Sequence, residues 1–82
     1  MRVQIYSLKR TLFDGEAKAV NCQTRLGEIT ILDQHEPLVA ILAAGTLHVT
    51  PTSGEDRYFP VKDGFLEVKP DNHARLIVEE EG

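Results

Sequence analysis

The dense cluster of side chains with chemical reach in this sequence is Asp33-Gln34-His35-Glu36-Pro37. A histidine beside carboxylates is a familiar start for a metal site or an acid–base pair, because imidazole titrates near neutral pH and carries two usable nitrogens. In an extended segment Asp33 and His35 point the same way. The zinc-protease pattern needs a second histidine four residues after the first, to set both on one helical face, and Val39 stands there instead. His48 and His73 are isolated on strand-like segments, so a metal centre needs long-range convergence that the sequence does not display. The local expectation is a turn histidine bonded to nearby backbone. Cys22 becomes a nucleophile only if a neighbouring base lowers its pKa, and its place in an alternating strand points instead to a buried, inert thiol. Neither a phosphate-cradling loop nor the dinucleotide fingerprint occurs among the glycines. No catalytic, metal or cofactor residue is therefore assigned, and no cofactor is expected.

Short strands have to position these residues. Val3 and Ile5 share a face, as do Ile29 and Ile31, Leu47 and Val49, Leu66 and Val68, and Ala74, Leu76 and Val78. Period-two alternation of this kind marks strands with one wet and one buried side. Turn signals fall at Phe13-Asp14-Gly15, Leu26-Gly27, Ala44-Gly45, Pro51-Thr52-Ser53-Gly54, Asp63-Gly64 and Pro70-Asp71-Asn72. Asp63-Gly64 reads as a two-residue hairpin. The spacing predicts an all-β sandwich or barrel of antiparallel strands. From Glu16 to Thr24, Ala17 and Ala19 fall on one face but Val20 and Cys22 on the other, which a bulge reconciles. The run Leu38 to Ala44, with Pro37 before it and Gly45 after it, stays open between strand and helix on periodicity alone. Glu79-Glu80-Glu81-Gly82 reads as a frayed acidic tail.

Composition excludes several classes. The 82 residues make one domain with one modest core. Thirteen acids against nine Lys plus Arg leave a net charge of −4, and the cations are scattered apart from Lys9-Arg10, so nucleic-acid binding is not expected. One cysteine rules out an internal disulfide and fits a reducing compartment. No apolar run approaches the roughly 20 residues of a membrane-spanning helix, so direct membrane insertion is not expected.

At Gly27-Glu28-Ile29-Thr30-Ile31-Leu32-Asp33-Gln34-His35-Glu36-Pro37-Leu38 the residue order becomes specific. It resembles the signature of the epsilon subunit of F-type ATP synthases (delta in mitochondria), which reads Gly-Glu-x-Gly-Ile-x-x-Gly-His-x-Pro-Leu. Phe13-Asp14-Gly15, Ala44-Gly45-Thr46-Leu47-His48-Val49, Asp63-Gly64-Phe65-Leu66-Glu67-Val68 and Asn72 to Glu79 resemble further family segments, in family order. The resemblance implies a flattened antiparallel β-sandwich of about ten short strands, with Leu38 to Leu42 as strand. Thr30 and Gln34 replace two family glycines, so a backbone that relied on positive φ is expected to change there. Family members usually continue into a C-terminal helical hairpin. Residues 1–82 correspond to the sandwich domain without that hairpin, as a short member or an excised domain.

The implied function is mechanical. A non-catalytic central-stalk subunit links the gamma subunit to the ring of c subunits and couples proton translocation to ATP synthesis. By motif position Glu28 matches the acid facing the c-ring, His35 the histidine facing gamma, and Ser7 a second gamma-facing position. The resemblance further implies a protein that is monomeric when isolated. It places that protein at the cytoplasmic face of the bacterial inner membrane, peripheral through the complex. The reading from another class is a free-standing β-sandwich binding module or a small metal-dependent enzyme using the Asp33–Glu36 cluster.

Overall fold

The computed structural model describes residues 1–81, and among them seven strands and no helix. They are β1 (Arg2–Tyr6), β2 (Thr11–Thr24), β3 (Gly27–Leu32), β4 (Leu38–Leu42), β5 (Gly45–Pro51), β6 (Arg57–Lys69) and β7 (His73–Glu80). The two long strands make the architecture. The first part of β2 pairs with β1, and its second part with β5 and β3. The first part of β6 pairs with β5, and its second part with β4 and β7. Each long strand therefore leaves one layer and enters the other. One layer holds β1, β7, β4 and half of each long strand; the other holds β3, β5 and the remaining halves. The result is a flattened sandwich of 30 × 27 × 19 Å.

Alternation places the core as the sequence predicts. Val3, Ile5, Leu66, Ala74 and Leu76 from one layer meet Val20, Cys22, Ile31, Leu47, Val49 and Val61 from the other, each at most 1% exposed. The phase reversal in β2 is a bulge, with the β2–β5 register slipping between Ala17 and Ala19. Leu38–Leu42 is strand, antiparallel to β6.

Five expectations change. About ten short strands become seven, because β2 and β6 run unbroken through both layers; counted once per layer they raise seven strands to nine segments. Phe13-Asp14-Gly15 is not a turn but lies inside β2. Asp63-Gly64 is not a hairpin: it forms the irregularity in β6 where the register with β7 slips between Val61 and Asp63. Gly64 takes φ 152° there, and a Cβ on it would overlap the Ile77 carbonyl oxygen. Glu79 and Glu80 do not fray but extend β7, while Gly82 lies outside the described residues. The pairing is also not wholly antiparallel, since β1 and β7 run parallel in register from Arg2↔His73 to Tyr6↔Ile77. Their connection is most of the chain, so no tight turn dictates their direction.

The backbone at the two replaced glycine positions divides. Thr30 is ordinary strand, but Gln34 keeps the left-handed conformation, at φ 64°. That region costs a non-glycine residue about 1 kcal/mol, partly offset by glycine's greater freedom when unfolded. Gln34→Gly is expected to stabilise the domain by about 0.5 kcal/mol and to raise its melting midpoint by roughly 2–4 °C. Thermal melts of the two proteins check this, and a lower midpoint for the glycine variant contradicts it.

Candidate functional site

The registers sort the loops into two ends. The Ser7–Arg10 loop, the Arg25-Leu26 turn and the Ala43-Ala44 link gather where Tyr6, Ile77, Phe65 and Ile41 align across β1, β7, β6 and β4. Met1, the Asp33–Pro37 loop, the loop after Pro51 and the Pro70–Asn72 turn gather at the other end.

Ser7 and Glu28 therefore share one end, and His35 occupies the other. Glu28 is exposed near the start of β3, opposite Gln23, on the outer side of its layer. Ser7 shapes its own loop: its Oγ accepts from the Lys9 and Arg10 amides at 3.1 and 3.2 Å and lies 3.1 Å from Glu80 Oε2. Arg10 donates to Glu80 Oε1 at 2.7 Å, and chiefly that bond, helped by Ser7, holds the Glu80 carboxyl below the usual range.

His35 Nδ1 donates to the Glu36 carbonyl oxygen at 2.7 Å, the backbone-bonded turn histidine that the sequence predicts. Asp33 does not face it in an extended segment; it starts a turn with Gln34. The Asp33 carboxylate accepts from the Met1 ammonium at 2.7 Å and from Asn72 Nδ2 at 2.9 Å, and these bonds hold its pKa below the ordinary value. Within the Asp33–Glu36 cluster, the Asp33 carboxylate and His35 Nδ1 are thus engaged in internal bonds. Among the described residues no group of three or more His, Cys, Asp or Glu is placed to hold a metal ion. Cys22 is buried, and burial pushes its thiol up to about 11, where it stays protonated at neutral pH.

Motif reasoning passes over the most prominent surface feature. The outer face of the β1–β7–β6–β4 layer carries exposed Val39, Ile41, Phe65 and Ile77. Ile41 pairs with Phe65, Phe65 with Ile77 and Ile77 with Tyr6, so the side chains form a continuous apolar row across four strands. Fully exposed Leu8 flanks a groove that also takes in Phe65 and Ile77. Contiguous exposed apolar surface marks a contact with another macromolecule more often than chance. The signal was present in the phase: Phe65 precedes buried Leu66, Ile77 lies between buried Leu76 and Val78, and Ile41 precedes buried Leu42. Apolar residues in the wet phase of a strand are the ones that alternation alone leaves unexplained. The face lies between the Ser7 loop and the His35 loop.

Fold and surface together define a small all-β sandwich domain with an exposed apolar face. Residues 1–80 match the family described as "ATP synthase, Delta/Epsilon chain, beta-sandwich domain", and the chain belongs to that family. Among curated relatives, an ATP synthase epsilon chain of Alkalilimnicola ehrlichii is 37% identical over 70 residues, covering 85% of this chain and 50% of the relative. One from Corynebacterium glutamicum is 42% identical over 67 residues, covering 80% and 54%. The chain thus spans about half the length of the curated relatives it matches. In the fold comparison, a chain of the Tetrahymena thermophila mitochondrial ATP synthase central stalk and c-ring structure superposes with TM-score 0.84 at 21% identity. That match covers 98% of this chain and 63% of the other. A chain of the Euglena gracilis mitochondrial enzyme, solved as OSCP/F1/c-ring, gives 0.86 at 24% identity over 95% and 49%.

Proposed function

We propose that this domain is a rigid, non-catalytic connector of the central stalk of an F-type ATP synthase, set between the gamma subunit and the c-ring. It couples proton translocation to ATP synthesis at sites on other subunits. It works peripherally to the membrane, at the cytoplasmic face in a bacterial cell. The observation that carries the reading is the apolar row Ile41–Phe65–Ile77, which crosses the outer face at the end that carries the Ser7 loop. Ser7 and His35 stand at opposite ends of one layer, so a gamma contact that includes both must run along the face between them. That face supplies the apolar surface such a contact needs. Glu28, on the outer side of the other layer at the Ser7 end, is left to meet the polar loops of the ring. A close-packed sandwich deforms little under load, which suits a part that holds two interfaces at a fixed separation.

Two substitutions separate the contacts. Glu28→Lys reverses one exposed charge, where a single ion pair is worth at most about 1 kcal/mol. Folding should be nearly unchanged, while attachment to the ring weakens and becomes more sensitive to salt. His35→Ala should weaken binding to gamma by about 0.5–1.5 kcal/mol and leave the ring contact alone. Melts of each variant, with binding to gamma alone and to the ring-containing complex, read both effects. An unfolded His35→Ala domain whose folded fraction binds gamma normally would make the histidine a turn residue only.

A further inference from the structure

We propose that the side-chain amide of Asn72 is a positioning group that ties the turn between β6 and β7 to the loop between β3 and β4, and so sets the segment carrying His35. Among the described residues only Gln34 and Asn72, glycines apart, hold a positive φ, at 64° and 60°. The two are bonded to each other across 38 positions of sequence: Asn72 Oδ1 accepts from the Gln34 amide at 2.7 Å. Asn72 Nδ2 donates to Asp33 Oδ1 at 2.9 Å. One side chain thus grips two consecutive residues of the loop, and His35 follows directly.

Asparagine meets three demands at this position. Its short polar side chain tolerates left-handed backbone better than most residues do. Its NH2 group supplies the donor that the Asp33 carboxylate takes, and its carbonyl oxygen the acceptor that the Gln34 amide needs. An ionised aspartate lacks the donor, and a serine lacks the second arm. The Asn72 backbone is held separately, since its carbonyl oxygen accepts from the Arg2 amide at 3.1 Å, beside the Arg2↔His73 pairing of β1 with β7. The grip therefore reaches from a strand ladder to a loop that has no strand of its own between Leu32 and Leu38.

A non-glycine residue keeps left-handed backbone only when its surroundings over-determine it. For Gln34 those surroundings include the bond from its own amide to Asn72 and the hold on Asp33 one residue earlier. The His35 amide donates to the Leu32 carbonyl oxygen at 3.1 Å, which closes the turn on itself. Asn72 connects that closed turn to the neighbouring one. Without the connection Gln34 samples further orientations, and His35 moves with it.

The positioning claim stands on these contacts; its effect on binding rests on the gamma-facing reading of His35. Asn72→Gly removes the carboxamide and leaves a residue at home in left-handed backbone, so the domain still folds. Backbone amide order parameters from NMR relaxation are read at Gln34 and His35 against Val20 and Leu66, with affinity for the gamma subunit measured on the same samples. In the parent all four should lie near the value of about 0.85 for rigid backbone, and in Asn72→Gly those of Gln34 and His35 should fall to about 0.6 or lower. Val20 and Leu66 should not change. Affinity for gamma should fall about three- to tenfold, because the turn then has to be ordered on binding. Unchanged order at Gln34 and His35 overturns the proposal, and so does an equal fall at all four amides, which marks a side chain that only tightens the whole sandwich. A local fall with gamma affinity unchanged upholds the positioning role and removes His35 from the gamma interface.

Discussion

Gly64→Ala is expected to cost about 2–4 kcal/mol, a large part of the 5–15 kcal/mol that holds a typical small domain together. The new Cβ would overlap the Ile77 carbonyl oxygen and approach Val78 Cα to 2.9 Å. Both obstacles are backbone, fixed by the β6–β7 ladder, so no side chain can rotate out of the way. The φ of 152° adds strain for any L side chain. For a domain of this size the melting midpoint should fall by roughly 10–25 °C. Gly15→Ala is the control: it meets only the Phe13 ring, at 3.7 Å, and should shift stability by no more than about 0.5 kcal/mol. Equal melting of the two variants would mean that β6 and β7 can separate cheaply at Gly64, against the rigid sandwich described above.

Phe65→Glu should have the largest effect on assembly. Phe65 is 58% exposed at the centre of the apolar row, with Ile41 on one side and Ile77 on the other. Removing it takes nothing from the core. The loss of strand preference, at most about 1 kcal/mol, bounds the change in stability. In a gamma interface along this face, an aromatic anchor replaced by a charge should cost about 2 kcal/mol or more, roughly thirtyfold in affinity. The measurement is a titration of gamma with wild type and variant, both shown by melting to be folded. Affinity unchanged within twofold would move the gamma contact off this face.

Much of the fold was legible because alternation is a local signal. Leu47 and Val49, or Leu66 and Val68, announce their buried side in three residues, and the phase reversal around Lys18 announces the bulge. Turn signals transferred less well. Asp63-Gly64 and Phe13-Asp14-Gly15 permit a reversal of the chain, but whether it reverses depends on what pairs with the flanking residues. In β6 the glycine serves close approach to β7 instead. The end of the chain was misjudged for a similar reason, since Glu80 is held by Ser7 and Arg10 across some seventy residues of sequence. Of the site, the motif singled out Glu28 and His35, which lie at a strand start and in a loop. Their separation, and the apolar face between the Ser7 and His35 loops, became visible only once the registers fixed which strands are neighbours. The junction of Met1, Asp33 and Asn72 was illegible, because it joins three segments that share no local pattern.

The central claim is that this domain joins two partners at once. The most direct measurement is stepwise assembly by light scattering or calorimetry: the domain titrated first with isolated gamma, then the resulting complex with detergent-solubilised c-ring. The account predicts a saturable one-to-one complex with gamma that captures the ring more tightly than gamma alone does, an increment that Glu28→Lys reduces. A domain that binds neither partner, or that binds gamma without adding anything to ring capture, would contradict it.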